Sequence, residues 1–351
     1  MTSMLPETHR FLRCLWANFL AASGCLRWAK YRLRRNGAVI TLMFHRVLRD
    51  ADYQRTYSLP GIVLREHTFR ELSAHVATRC EPVDVRTAQP GVLRRKLPVA
   101  FTFDDGWIDT YTVAFPIAHE HRIPFIVFVC PGLLDEETPF WPERLIALMR
   151  ATGSSLGIDA AERLIETLKR VTPEQRDQYL AKLQASTREK VTPDESMSAD
   201  RTLSWAAIRQ MAEGGVCIGS HTQTHQIVTM ISKDSARREL CDPKTEIEGA
   251  FSKCCDTFAY PNGDCSPETR TLLAEAGYKL AFTARCGAWT VSSDPLAIPR
   301  VNICEDKVIG LNRRFSATMF EYATFWKAWR AIKANRDRDS RAYQQSAPVP
   351  V

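Results

Sequence analysis

A chain of 351 residues that is 45% hydrophobic and 25% charged carries enough apolar mass for one large domain or two smaller ones. Its formal charge of +7 is concentrated: residues 1–36 hold seven basic side chains against one acid, Glu7, so +6 of the total sits there. The near-neutral body argues against a nucleic-acid partner, and the basic end suits an anionic surface such as a membrane.

Within that end, Phe11, Leu12, Leu15, Trp16, Phe19 and Leu20 recur at helical spacing. The uncharged run over residues 14–26 is shorter than the ~20 residues a membrane span needs. The expected element is an amphipathic helix lying on a membrane or docked on the domain. A secretory or lipoprotein leader, with Ala22-Ser23-Gly24-Cys25 as the attachment site, is the second reading. An ordinary first helix is the third. Glu7 and the late arginines are poor leader chemistry. Eleven cysteines in no Cys-x-x-Cys spacing, several in apolar runs (Cys130, Cys217), read as buried thiols and favour a reducing compartment. These features point to the cytoplasm or the membrane periphery; the leader reading would make the chain exported or lipid-anchored.

Apolar runs at residues 38–44, 99–103, 125–129, 216–219 and 257–260 read as strands, with later ones at 280–283 and 297–303. Helical patterns fall at residues 64–79, 109–121, 204–213 and 233–251, and Ser266-Pro267 opens another helix. Residues 143–190 are charged and helical in period, so they read as an insertion, taken as residues 135–200 with its flanks. Strands alternating with helices call for a parallel sheet or a β/α barrel. The polar residues of interest follow strands, at the rim where such folds gather their active sites.

Two segments carry the chemistry. One is Thr102-Phe103-Asp104-Asp105-Gly106; the other is Ser220-His221-Thr222-Gln223-Thr224-His225. Two histidines and one carboxylate are a common zinc set that leaves a position for water. Neighbouring side chains at a strand end point apart, so one aspartate suits the metal and the other stays free for proton transfer. Asp-Asp-Gly alone is a common turn, and His-x-x-x-His alone is often two surface histidines. The pair, each placed after a strand, is a far stronger signal than either.

With Phe258-Ala259-Tyr260-Pro261-Asn262-Gly263, these segments resemble the first three motifs of the polysaccharide deacetylase family, the NodB-homology or carbohydrate esterase family 4 proteins. The resemblance covers residues 39–303 and implies a distorted (β/α) barrel interrupted by the helical insertion. The expected organisation is a basic amphipathic segment at 1–36, a NodB-like domain at 37–310, and a C-terminal helix with a mobile tail at 311–351. The resemblance implies Asp105, His221 and His225 as ligands to Zn2+ or another divalent transition metal, and Asp104 as the general base. It implies that Tyr260, Pro261, Asn262 and Gly263 shape the substrate groove, with a backbone amide near Asn262 for the oxyanion. The implied substrate is an N-acetylated glycan such as an exopolysaccharide, losing acetate by C–N hydrolysis.

The chain departs from the pattern in two places. The family often has an arginine where Ala259 stands, and Arg300 is the candidate to orient the base in its stead. The late Leu-x-His acid is absent near the C-terminus. His45, at the end of the first strand, resembles instead the acid of the circularly permuted branch that includes poly-N-acetylglucosamine deacetylases. Trp107 is a candidate groove residue, Asp109 a helix cap and Trp141 a packing residue. Rival readings of the same site are an O-acyl esterase, a non-sugar amidase, or a catalytically silent metal-binding glycan-recognition protein.

Overall fold

The segments Ile40–Phe44, Pro98–Phe103 and Phe125–Val129 are almost wholly apolar, and every residue in them is buried. Strands buried on both faces belong in parallel sheets covered by helices. The computed structural model describes residues 4–135, 140–151, 157–186 and 200–334. In these, the strands are β1 Ile40–Phe44, β2 Arg46–Leu48, β3 Val63–Arg65, β4 Glu81–Pro82, β5 Pro98–Phe103, β6 Phe125–Val129, β7 Cys217–Ser220, β8 Thr257–Ala259, β9 Leu280–Phe282 and β10 Val301–Asn302. The main sheet runs β10-β1-β5-β6-β7-β8-β9 with β4 beside β5, while β2 and β3 form a separate parallel pair.

The sheet curls until its edges meet. Ile298 exchanges backbone hydrogen bonds with Ala281 and, through its carbonyl, with Thr283, at 2.8 and 2.9 Å. A few residues later Val301 and Asn302 pair with Leu42 and Met43 of β1. The stretch 298–302 thus bonds β9 at one end and β1 at the other. That change of partner is why residues 297–303 do not form the single strand expected from their composition. The two faces of the sheet also differ. Val99, Phe101 and Phe103 face the helices with Phe44, Phe69 and Phe125. Ala100, Ile126, Phe128, Ala259, Phe282 and Ile298 form a separate apolar cluster on the inner face.

Residues 4–35 form two helices, Met4–Ala22 and Cys25–Arg35, broken where Gly24 takes φ 77°. They pack on the chain's C-terminal end through Cys14, Ala17, Met319 and Tyr322. The insertion contains the helices Trp141–Ala151, Ile158–Leu168 and Pro173–Ser186 around a small core of its own, which Tyr57 and Leu59 join from the main body. Parts of the expected insertion, and residues 335–351 of the C-terminal helix and tail expected at 311–351, lie outside the described residues.

A buried polar network fastens this insertion to the sheet. Arg46 is 1% exposed and donates from Nε to Asp109 at 2.9 Å, from Nη1 to Ser58 at 2.9 Å, and also to Asp200. Its guanidinium lies 4.2 Å from the centre of the Trp107 ring. Ser58 in turn donates to Glu143 at 2.9 Å. Asp109 is therefore no helix cap: its carboxylate takes Arg46 and the Val47 amide instead. Burial pushes its pKa to about 6 against the pull of Arg46, and pushes that of Glu143 to about 8.

Two outcomes follow from this network. Arg46→Met should leave two buried carboxylates unpaired and lower unfolding stability in urea by about 3–5 kcal/mol; a loss under about 1 kcal/mol would contradict the role given to Arg46. Glu143 holds its proton in the folded state up to about pH 8, against an ordinary value of 4.5. Its stabilising contribution is full below pH 4.5 and is lost as pH rises toward 8. Glu143→Gln should remove that loss, so between pH 5 and 8 its stability should gain on wild type by up to about 1.4 kcal/mol per pH unit. Parallel profiles would contradict a protonated Glu143.

Candidate active site

Alternation along β5 puts Ala100, Thr102 and then Asp104 on the inner face. Ala100 belongs to the apolar cluster there. Above it Thr102 donates to the Leu42 carbonyl at 2.9 Å. Asp104 then meets Arg300, which sits on the stretch that closes the sheet. The guanidinium donates from Nη1 and Nη2 to the two carboxylate oxygens, both at 2.7 Å. Arg300 is itself fixed by the Thr283 carbonyl at 3.0 Å and Thr102 Oγ1 at 3.1 Å. It is fully buried, and Asp104 is 2% exposed. Burial opposes ionisation of Asp104, but Arg300 and the nearby His221 outweigh it and hold the carboxyl below its ordinary range.

The next residue turns away. Asp105 has φ 74° and Gly106 φ 75°, so the chain leaves β5 through two left-handed residues. Only glycine takes that conformation freely, and the strain at Asp105 is of the kind that gathers at functional sites. Asp105 Oδ1 lies 3.3 Å from Nε2 of His221 and 3.3 Å from Nε2 of His225. Its other oxygen accepts from Trp107 Nε1 at 3.0 Å. Burial would raise its pKa, but the two imidazoles hold it well below the ordinary carboxylate range.

The histidines come from the loop after β7. His221 Nδ1 lies 2.7 Å from the Ala259 carbonyl at the end of β8, an acceptor only. Nδ1 therefore donates to that carbonyl and Nε2 points at Asp105, as a donor when the ring is cationic and as a lone pair open to a metal when it is neutral. His225 has φ 59° and stands against Phe140 with ring centres 5.2 Å apart. Its loop is pinned by Glu239, which accepts from the Thr224 amide at 2.9 Å and the Thr224 hydroxyl at 2.7 Å.

This donor set fits a metal ion. Asp105, His221 and His225 offer ligand atoms within 4.8 Å of one another. Two donors each about 2.1 Å from a tetrahedral ion stand about 3.4 Å apart, and the two carboxylate–imidazole separations are 3.3 Å. The Nδ1–H to carbonyl bond of His221 is the outer support such ligands normally have.

One cavity joins these groups. It is lined by His45, Asp104, Asp105, His221, His225 and Arg300, with Tyr260, Asn262, Gly263 and Ala284 on one side. Pro261 is buried within its turn and does not line the cavity. That turn depends on Asn262 at φ 59° and Gly263 at φ 80°; a Cβ on Gly263 would come within 2.4 Å of Ala284. His45 is half-buried, and its buried Nδ1 makes no hydrogen bond among the described residues. Burial lowers its pKa, against the opposing pull of Asp105 and Asp104.

The remaining wall comes from the insertion, with Phe140, Trp141, Glu143, Ile165 and Lys169 facing the cavity. Trp141 thus lines the site as well as packing in the insertion's core. Trp107 departs from its expected place: it is 1% exposed, lies behind Asp105 and does not line the groove. Glu143, Glu239 and the Ala259 carbonyl carried no signal in the sequence. Each is defined by what lies across from it in space.

Comparison with known proteins agrees with this geometry. A family model described as polysaccharide deacetylase matches residues 93–281, more than half of the chain. That stretch holds Asp104, Asp105, both histidines and the Tyr260 turn, and leaves His45 and Arg300 outside. YxkH of Bacillus subtilis, whose name places it among the polysaccharide deacetylases, is 26% identical over 96 residues, which are 27% of this chain and 34% of that protein. Among solved structures, the Streptococcus pyogenes deacetylase PplD in complex with acetate is similar with a TM-score of 0.54 at 18% identity, over 79% of this chain and 96% of that one. IcaB from Ammonifex degensii is similar with a TM-score of 0.52 at 19% identity, over 78% and 94%. At these identities the two structures speak for the fold. The family match speaks for the lineage: this chain belongs to the polysaccharide deacetylase family.

Proposed function

We propose that this protein is a metal-dependent hydrolase that removes N-acetyl groups from an amino-sugar polymer or oligomer. The observation that carries the reading is the divergence of two adjacent carboxylates. Asp105 faces two imidazoles at 3.3 Å, while Asp104 faces a guanidinium at 2.7 Å. One is arranged as a ligand and the other is kept ionised beside it.

Asp105, His221 and His225 would hold the ion, with zinc the best match to two nitrogens and one carboxylate oxygen. A bound zinc supplies Lewis acidity, polarising an amide carbonyl and acidifying a water molecule. Asp104 then takes the proton from the attacking water. Arg300 occupies one lone pair on each oxygen and leaves a second free to accept. The guanidinium fixes the plane of the carboxylate and keeps it ionised, at some cost in basicity. Within the Tyr260 turn, the amides of Tyr260 and Gly263 are bonded to the carbonyls of Phe282 and Tyr260, and proline has none. The Asn262 N–H is thus the turn's donor for a developing oxyanion. His45, which lines the same cavity, would pass a proton to the departing amine. The aromatic and aliphatic side chains of Phe140, Trp141, Leu59 and Ile62 give a sugar ring apolar surface to lie on.

The test is acetate release from N-acetylglucosamine oligomers by the zinc-loaded protein, with O-acetylated sugars and a simple N-acetyl amine run alongside. Asp104→Asn should lower kcat by about 10³-fold or more in a chain that stays folded at the assay temperature, although its unfolding midpoint falls because Arg300 loses its buried counter-ion. Unchanged turnover would remove Asp104 from the mechanism, and release only from the O-acetylated sugars would make the enzyme an esterase. Arg300→Gln should lower kcat roughly 10- to 100-fold while leaving KM nearly unchanged, since it acts on the orientation of the base. A rise in KM alone would place Arg300 on the substrate instead.

A further inference from the structure

The helix Met4–Ala22 is docked on the domain with its apolar side outward. Phe11, Leu12, Leu15, Trp16 and Phe19 are between 46% and 59% exposed. At 100° per residue these five positions fall within an arc of about 140°. The opposite side is the one that packs: Cys14, Ala17 and Leu20 are at most 3% exposed, and Cys14 and Ala17 rest on Met319. The next helix repeats the arrangement. Leu26, Ala29 and Leu33 are buried, while Trp28 and Tyr31 are 46% and 49% exposed.

A contiguous exposed apolar surface on a folded chain marks a contact site. What it contacts is indicated by the charge around it. Arg27, Arg32 and Arg35 are exposed on the second helix beside Trp28 and Tyr31. Arg32 and Arg34 lie over the Trp28 and Tyr31 rings, at 5.8 and 5.7 Å from their centres. Residues 1–36 carry one acid, Glu7, against seven bases, and the rest of the chain is near neutral. Exposed aromatic and leucine side chains among arginines are the composition of a helix that lies in a lipid interface. A second copy of the same surface would meet it with like charge. Among the described residues no helix is long and apolar enough to cross a membrane, so the contact is with the surface.

We propose that the outer face of the two N-terminal helices docks the protein on an anionic lipid bilayer, its apolar residues entering the interface and its arginines meeting the headgroups. The surface is separate from the cavity and does not depend on the proposed deacetylase reading.

Co-sedimentation of the full chain with phosphatidylcholine vesicles, with and without phosphatidylglycerol, tests the proposal. The protein should pellet with the anionic vesicles, and raising salt from 0.1 to 0.5 M should weaken binding several-fold, as screening requires. The double variant Leu15→Glu with Phe19→Glu should weaken it tenfold or more. A triple variant with Arg27, Arg32 and Arg35 each changed to Glu should abolish the preference for anionic lipid. All these positions are exposed, so unfolding midpoints and acetate release in solution should match wild type. Failure of the wild-type chain to bind anionic vesicles, or equal binding by both variants, would overturn the proposal. So would sedimentation velocity showing a dimer that the Leu15/Phe19 variant splits, since the face would then be a self-association surface.

Discussion

A carboxylate taken out of water must find an opposite charge or a set of donors, or give up its ionisation. Asp104 and Asp105 are adjacent and both buried, so this chain must meet that requirement twice at one point. It does so in opposite directions. Asp104 continues the inward alternation of β5 and reaches Arg300; Asp105 turns through a left-handed conformation and reaches His221, His225 and Trp107. Arg300 lies on the stretch that joins the two edges of the sheet. The pairing that holds one aspartate ionised is thus also part of what closes the fold.

Glu143 answers the same demand by the other route. It has Ser58 as a partner and Arg46 nearby, but burial prevails and the group keeps its proton to about pH 8. Asp109 and Asp200 share Arg46, which also covers Trp107, the indole that holds Asp105. Through these contacts the insertion is tied to the Asp105 carboxylate. The helix carrying Glu143 thereby becomes a wall of the cavity rather than a separate appendage.

Much of this was legible in the sequence, and for physical reasons. Apolar runs buried on both faces announced parallel strands, and the acid and imidazole pairs that follow two of them announced a rim site. Side chains at fixed short spacings, such as His221 and His225, are constrained by local geometry and can be read directly. What could not be read depended on distant parts of the chain. Arg300 is named in the sequence as the candidate to orient the base, but it lies 196 residues from Asp104, and nothing local distinguishes its full burial from the exposure of a surface arginine. Ala259 contributes through its carbonyl, which every residue has. Trp107 and Asp109 were assigned to groove and cap from local context, and the buried Arg46 drew both inward. The short β2–β3 pair was missed because three-residue strands carry too little pattern to register.

The central claim is that Asp105, His221 and His225 hold one divalent ion while Asp104 stands beside it unligated. Titrating zinc into metal-stripped protein and counting the ions retained per chain tests it directly. The wild type and Asp104→Asn should each retain one zinc, and His221→Ala should retain none at the same free zinc concentration. A wild-type chain that binds no zinc, or a His221→Ala variant that binds it as tightly, would contradict the account.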